Sequence, residues 1–224
     1  MEAQFWLDKW KKQETGFHLE QIHPLLKKFY PDVFSPSKGV FVPLCGKTSD
    51  LTFFAEKGSY TLGCELSDIA VQAFFKEQKD TAQINQVGRF SCFRSTRFVN
   101  ENNRQANIDI LIGDIFDLNQ ALLTECASIY DRAALIALPE SLRKDYVRQI
   151  RSLMTSAKML LITLEYPQVE MDGPPFSVAS DEVSELFQFA EVSRVYCQNI
   201  LSKEPKFVAR GLSYLNECAY VISW

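Results

Sequence analysis

The sequence predicts an α/β fold built on a mainly parallel sheet, with one antiparallel strand near its end. Three patterns point to it. From residue 40 onward, short apolar stretches alternate with amphipathic ones of helical period. The stretch over 158–165 (KMLLITLE) is almost continuously apolar, as in strands covered on both faces. The last two strand-like stretches follow one another with no clear helix between them, which calls for an antiparallel return.

The elements follow in order. Residues 3–13 place Phe5, Trp6, Leu7 and Trp10 among charges at helical spacing, and Gly16 ends that helix. A second helix is expected over 19–29, stopping before Pro31. Lys38-Gly39 opens a short strand over 40–42, and a helix over 48–57 follows, stopped by Gly58. Residues 60–64 read as a strand. Ser67 is a good N-cap for an amphipathic helix over 68–78, because its hydroxyl accepts from an amide the first turn leaves unpaired. The stretch 84–107 reads as a hairpin insertion, with a strand over 90–96, a turn at Asn100-Glu101-Asn102-Asn103 and a returning strand over 108–112. A strand over 128–131, a helix over 140–154, the strand over 158–165 and a helix near 181–187 come next. Strands near 192–199 and 212–222 close the chain. No internal repeat, low-complexity tract or linker interrupts it, so residues 1–224 read as one domain.

Composition narrows the function classes. Apolar residues are 46% of the chain and Phe alone numbers 17, enough for a substantial core. The net charge of −4 gives no clustered basic surface of the kind that phosphate backbones need. Lys9, Lys11 and Lys12 lie among Asp8 and Glu14 and read as a solvated helix face. No apolar run approaches the roughly 20 residues that span a bilayer, and the start, MEAQFWLDKW, lacks an export-signal core. Neither a nucleic-acid nor a membrane partner is therefore expected, and the cytoplasm is the expected compartment. The six cysteines are scattered without a Cys-x-x-Cys, mostly in strand-like segments, and are expected to be reduced and buried. With two histidines only, His18 and His23, no metal site is expected.

In doubly wound sheets the ligand sits beyond the carboxyl ends of the strands, so the loop after the first strand is the place to look. Here residues 40–47 read VFVPLCGK, with Gly46 allowing a tight turn or a close backbone approach. Glu65 ends the next strand, 19 residues after Gly46. That is about the spacing of the acid that takes a ribose hydroxyl in nucleotide-binding βαβ units, where one carboxylate can accept from both donors of the diol. The repeated glycines that let backbone amides approach a pyrophosphate are missing, which disfavours a nicotinamide cofactor and favours one without phosphates. S-adenosylmethionine fits that description.

Six segments extend the pattern over the whole chain: Phe5-Trp6 through Trp10, Gly16-Phe17-His18, Val42-Pro43-Leu44-Cys45-Gly46-Lys47, Gly63-Cys64-Glu65-Leu66-Ser67, Tyr130-Asp131-Arg132-Ala133-Ala134-Leu135 and Gly173-Pro174-Pro175-Phe176-Ser177-Val178. Together the chain resembles the thiopurine S-methyltransferases, especially the bacterial ones. The resemblance implies a class I S-adenosylmethionine-dependent methyltransferase fold: Rossmann-like, with a mainly parallel seven-stranded sheet, one antiparallel strand and helices on both faces. It also implies a monomer acting on a small thiol or thione. By the same resemblance the segment 1–35 is a helical lid in which Trp10 closes over the cofactor, and Leu44 and Glu65 contact it. Asp114 and Ile115 lie near the adenine, Arg132 lines the site and binds on both the cofactor and the substrate side, and Phe17 is an aromatic near the substrate. The substrate-side basic residue maps onto Lys206 or Arg210. Bacterial relatives are associated with selenium and tellurium methylation as well, so chalcogen compounds are an alternative acceptor class.

Each residue also has a plainer reading. Trp10 with Phe5 and Trp6 could form a helix core stripe, Arg132 could pair with its neighbour Asp131, and His18 could be a packing residue. The Gly-Pro-Pro-Phe run reads as a rigid turn walling the substrate pocket. Methyl transfer from a sulfonium is an in-line displacement, for which alignment and desolvation can supply much of the acceleration. No dedicated nucleophile or general base is expected. A nicotinamide-dependent oxidoreductase and a non-catalytic cofactor-binding protein are the rival readings.

Overall fold

A computed structural model describes residues 3–95 and 107–224 of the chain. The turn expected at Asn100–Asn103 lies outside the described residues. Two helices precede the sheet, α1 (Ala3–Lys11) and α2 (Pro24–Val33). Then come β1 (Gly39–Pro43), α3 (Asp50–Glu56), β2 (Thr61–Glu65), α4 (Asp68–Glu77), β3 (Gln83–Val87), β4 (Phe90–Ser95) and β5 (Ile108–Ile112). The second half holds β6 (Cys126–Arg132), α5 (Glu140–Leu153), β7 (Lys158–Glu165), α6 (Ser180–Leu186), β8 (Glu191–Asn199), the short α7 (Pro205–Val208) and β9 (Asn216–Ser223).

One sheet takes all the strands of the described residues, in the order β3-β4-β5-β2-β1-β6-β7-β9-β8. Strands β5, β2, β1, β6 and β7 are mutually parallel, β9 runs against β7, and β8 runs against β9. These are the seven strands expected, with β9 the antiparallel one. The hairpin β3–β4, turning at Gly88, adds two strands beyond β5, with β4 antiparallel to it. The sequence hid β3 because all five of its residues are exposed, so no buried face leaves an apolar signature.

Strand alternation divides the core between the two faces. Phe41, Leu62, Cys64, Leu111, Ile129 and Leu161 pack on one side with Tyr146 of α5 and Val183 of α6. Val40, Val42, Ile110, Tyr130 and Ile162 pack on the other with Leu26 of α2, Leu51 of α3 and Val71 of α4.

Two expectations are corrected. The second helix starts five residues later than expected and runs through Pro31. His23 and Pro24 fix its start: the His23 ring accepts the Leu25 amide, and Pro24 needs no donor in the first turn. Pro31 falls in the last turn, and the Phe34 amide still closes onto the Tyr30 carbonyl. Second, the cysteines are not all unpaired. Cys197 and Cys218 stand opposite each other in the β8–β9 ladder and form a disulfide. Scattered spacing concealed a pairing set by strand register, not by sequence distance.

Candidate cofactor and substrate site

A cavity of about 400 Å³ opens at the carboxyl ends of β1, β2, β5, β6 and β7 and is covered by the N-terminal segment. Every residue singled out from the sequence lines it: Trp10, Phe17, Leu44, Glu65, Asp114, Ile115 and Arg132, with His18, Lys206 and Arg210.

The floor is built by the turn after β1. Leu44 and Gly46 both take positive φ, 45° and 54°, so the chain turns sharply at the end of β1. Gly46 is required twice, since a Cβ there would also meet Trp10 Cζ2 at 3.1 Å. Glu65, at the end of β2, is buried; Gly46 N–H donates to its Oε2 and Ser67 N–H to its Oε1, both at 2.8 Å. Burial raises its pKa, and the backbone amides of Ser67, Gly46 and Leu66 oppose that rise. Each oxygen keeps a lone pair beyond these bonds, so the carboxylate can still accept a pair of hydroxyl donors. Asp114 caps the turn after β5 through Phe116 N–H at 3.0 Å, and Ile115 beside it is buried.

The roof is aromatic. Trp10 of α1 is buried and meets Phe17 edge-to-face at 5.5 Å, and Trp6 meets Phe17 at the same distance. The Trp10 ring lies against Gly46, so it joins the N-terminal helix to the cavity floor.

Arg132, Lys206 and Arg210 bring positive charge to the lining. Arg132 is not paired with Asp131, which accepts from Tyr146 Oη at 2.7 Å and from Leu135 N–H at 3.1 Å. Burial pushes the Asp131 carboxyl up to about 6. The Arg132 guanidinium donates instead to the Phe17 carbonyl at 3.2 Å, tying the sheet to the N-terminal segment. Ala133, next in the chain, has φ 69°, so the backbone turns sharply just past Arg132. Lys206 Nζ donates to the Gly16 carbonyl at 3.0 Å, while Arg210 lies against Met171 Sδ at 3.1 Å. Both reach the cavity. His18 lines it as well, its pKa lowered first by burial and then by Lys47 and Arg132, with Glu77 and Glu20 pulling the other way. Pro174 and Pro175 form part of the wall, as the sequence suggested. Cys45 is core: its Sγ packs where a Gly63 side chain would go, and burial pushes its thiol well up.

Sequence reasoning missed a polar chain under the cavity. Asp50, buried at the start of α3, accepts from His23 N–H at 2.9 Å and from Tyr130 Oη at 3.0 Å, and His23 in turn faces Glu217. Residues 27 and 80 apart in sequence carry no motif, so nothing local announced it.

A sequence model of the family described as thiopurine S-methyltransferase matches residues 1–223. A thiopurine S-methyltransferase from Shewanella pealeana is 41% identical over 223 residues, covering 98% of this chain and 97% of that one. One from Bordetella petrii shows the same identity and coverage. Among solved structures, an S-adenosylmethionine-dependent methyltransferase from Anabaena variabilis superposes with a TM-score of 0.64 at 16% identity, covering 98% of this chain and 93% of that one. Magnesium protoporphyrin IX methyltransferase from Synechocystis, solved with S-adenosylmethionine bound, gives 0.60 at 12% identity, covering 98% and 96%.

Proposed function

The chain belongs to the thiopurine S-methyltransferase family and has the class I methyltransferase fold, and from that premise we propose that it methylates the sulfur of thiopurines or related heterocyclic thiols. The observation that carries the reading is the pairing of Glu65 with the Gly46 turn beneath Trp10, facing a cationic end at Arg132. S-adenosyl-L-methionine, when bound, would supply an electrophilic methyl group open to in-line attack by the acceptor sulfur, with S-adenosylhomocysteine as the leaving group.

The chain's own residues do the rest. Glu65 takes the ribose hydroxyls with the lone pairs its backbone partners leave free. Leu44 packs on the cofactor from the floor, and Asp114 and Ile115 bound the adenine. Trp10 covers the site and excludes water, which strengthens every charge interaction inside it. Trp10 and Phe17 also present aromatic faces to a cationic donor. Phe17, Pro174 and Pro175 wall the acceptor. Arg132 favours the thiolate form of an acidic heterocyclic thiol, because a nearby cation stabilises the ionised state. Arg210 is the second cation for that role, since Lys206 is engaged with Gly16 in the lid. No side chain is needed as a general base for an acceptor that arrives ionised.

The enzyme works as a monomeric cytoplasmic unit on a small molecule, with residues up to 35 acting as the lid, and with neither nucleic acid nor membrane as partner. No helix among the described residues is long and apolar enough to cross a membrane. Arg132→Ala tests the acceptor end. It is expected to lower kcat/KM on 6-mercaptopurine at least tenfold with little change in S-adenosylhomocysteine affinity. A collapse of thermal stability with unchanged turnover per folded molecule would make Arg132 structural.

A further inference from the structure

The carboxylate of Glu217 is held in place on the cavity wall without a neutralising partner. It belongs to β9, opposite Leu164 of β7 and Gln198 of β8, and its side chain is 19% exposed. Both Glu217 and Leu164 line the cavity. His23 Nε2 lies 3.2 Å from Glu217 Oε1. The other ring nitrogen, Nδ1, accepts the Leu25 amide at 3.2 Å and so carries no proton. The hydrogen-bond network therefore assigns the ring proton to Nε2, facing Glu217. In that tautomer the ring has no net charge. His23 thus orients Glu217 without cancelling its charge.

The orienting group is itself rigid. His23 is 4% exposed, its N–H donates to Asp50 Oδ1, and Asp50 Oδ2 takes the Tyr130 hydroxyl. Among the described residues no Lys or Arg lies within ion-pair distance of Glu217. Thr163, fully buried on β7 and lining the same cavity, has an Oγ1 with no partner. Arg132 lines the same cavity, and it and Glu217 both act on Tyr130. The lining thus suits one ligand system carrying an anion toward Arg132 and a proton donor toward Glu217.

We propose that Glu217, positioned by His23, is a subsite for an ammonium or N–H donor of a bound ligand. The inference rests on the methyltransferase reading, which offers two sources of that chemistry: the α-ammonium of the cofactor's amino-acid end, or a ring N–H of a heterocyclic acceptor. A carboxylate with a free oxygen makes a charge-assisted bond to either.

Glu217→Gln tests it, since the amide keeps the shape and loses the charge. Calorimetry would compare S-adenosylhomocysteine with its analogue lacking the α-amino group, on both proteins. KM would be compared for 6-mercaptopurine and for a benzenethiol with no ring N–H. If the cofactor is the source, the variant binds S-adenosylhomocysteine at least tenfold more weakly and the deaminated analogue unchanged. If the acceptor is the source, cofactor affinity holds and KM rises at least tenfold for 6-mercaptopurine alone. Glu217→Ala should repeat the pattern, which separates charge from any effect of the amide. Changes within twofold in all four comparisons, in a variant of wild-type thermal stability, would overturn the subsite. Failure of the wild type to bind S-adenosylhomocysteine would instead sink the methyltransferase reading, and the subsite with it.

Discussion

Glu65 does two jobs with one carboxylate. It anchors the Gly46 turn and the Ser67 amide, and in the proposed function it also receives the ribose. Removing it therefore costs fold as well as binding. Glu65→Gln keeps one acceptor oxygen but turns an amide group toward a buried N–H. The loss of stability is expected to be about 1–3 kcal/mol, with S-adenosylhomocysteine affinity falling at least tenfold. Urea unfolding and calorimetry on the same preparation check both, and unchanged affinity would remove Glu65 from the cofactor site. Asp131 makes a different prediction. Its carboxyl titrates at about 6 in the fold, above the ordinary value of 3.8, because it is buried. The folded state therefore holds the proton more tightly than the unfolded chain, so this group's contribution to stability falls as pH rises from about 4 to 6 and is flat above. Asp131→Asn, which stays neutral, should flatten the unfolding free energy across that window. An unchanged slope would mean that Asp131 titrates normally.

At the scale of elements, α2 packs into the core, whereas α1 and the turn after it are joined to the rest of the fold by specific links. Trp10 meets Gly46, Arg132 reaches the Phe17 carbonyl, and Lys206 reaches Gly16. None of these is part of the β-ladder. Trp10→Ala should therefore speed S-adenosylhomocysteine release about tenfold while leaving the sheet's hydrogen-exchange protection intact. Equal release rates would make Trp10 a packing residue only. This segment also marks where sequence could and could not be read. Trp10 and Phe17 were visible as aromatics in a charged helix and a glycine-flanked turn. The strand-end turn and Glu65 were visible because strand, turn and acid lie within one βαβ unit. The start of α2 was misplaced because His23 works as a cap through its ring, an unusual cap type. The Asp50–His23–Glu217 chain was invisible, since tertiary packing alone joins β9, α2 and α3. The Cys197–Cys218 pair, set by strand register, escaped for the same reason, and β3 escaped because its exposed residues leave no apolar pattern.

For the whole molecule, the sheet order sets what the cavity can be. Five parallel strands end at one side, and β9 returns between β7 and β8 so that its first residues, Asn216 and Glu217, arrive at that same side. The cavity floor, the Pro174-Pro175 wall and Glu217 thus come from distant parts of the chain, and the N-terminal segment covers them. The missing glycine repeat and the crowded Gly46–Trp10 contact leave little room for a pyrophosphate, so thermal stability should rise with S-adenosylhomocysteine and stay level with NADH. The central claim is sulfur methylation, and one measurement bears on it most directly: incubation with methyl-labelled S-adenosylmethionine and 6-mercaptopurine, with the labelled product resolved by mass spectrometry. The account predicts label on the sulfur, in a reaction lost in Glu65→Gln. Absence of transfer, or label on a ring nitrogen with the sulfur unmodified, would contradict it.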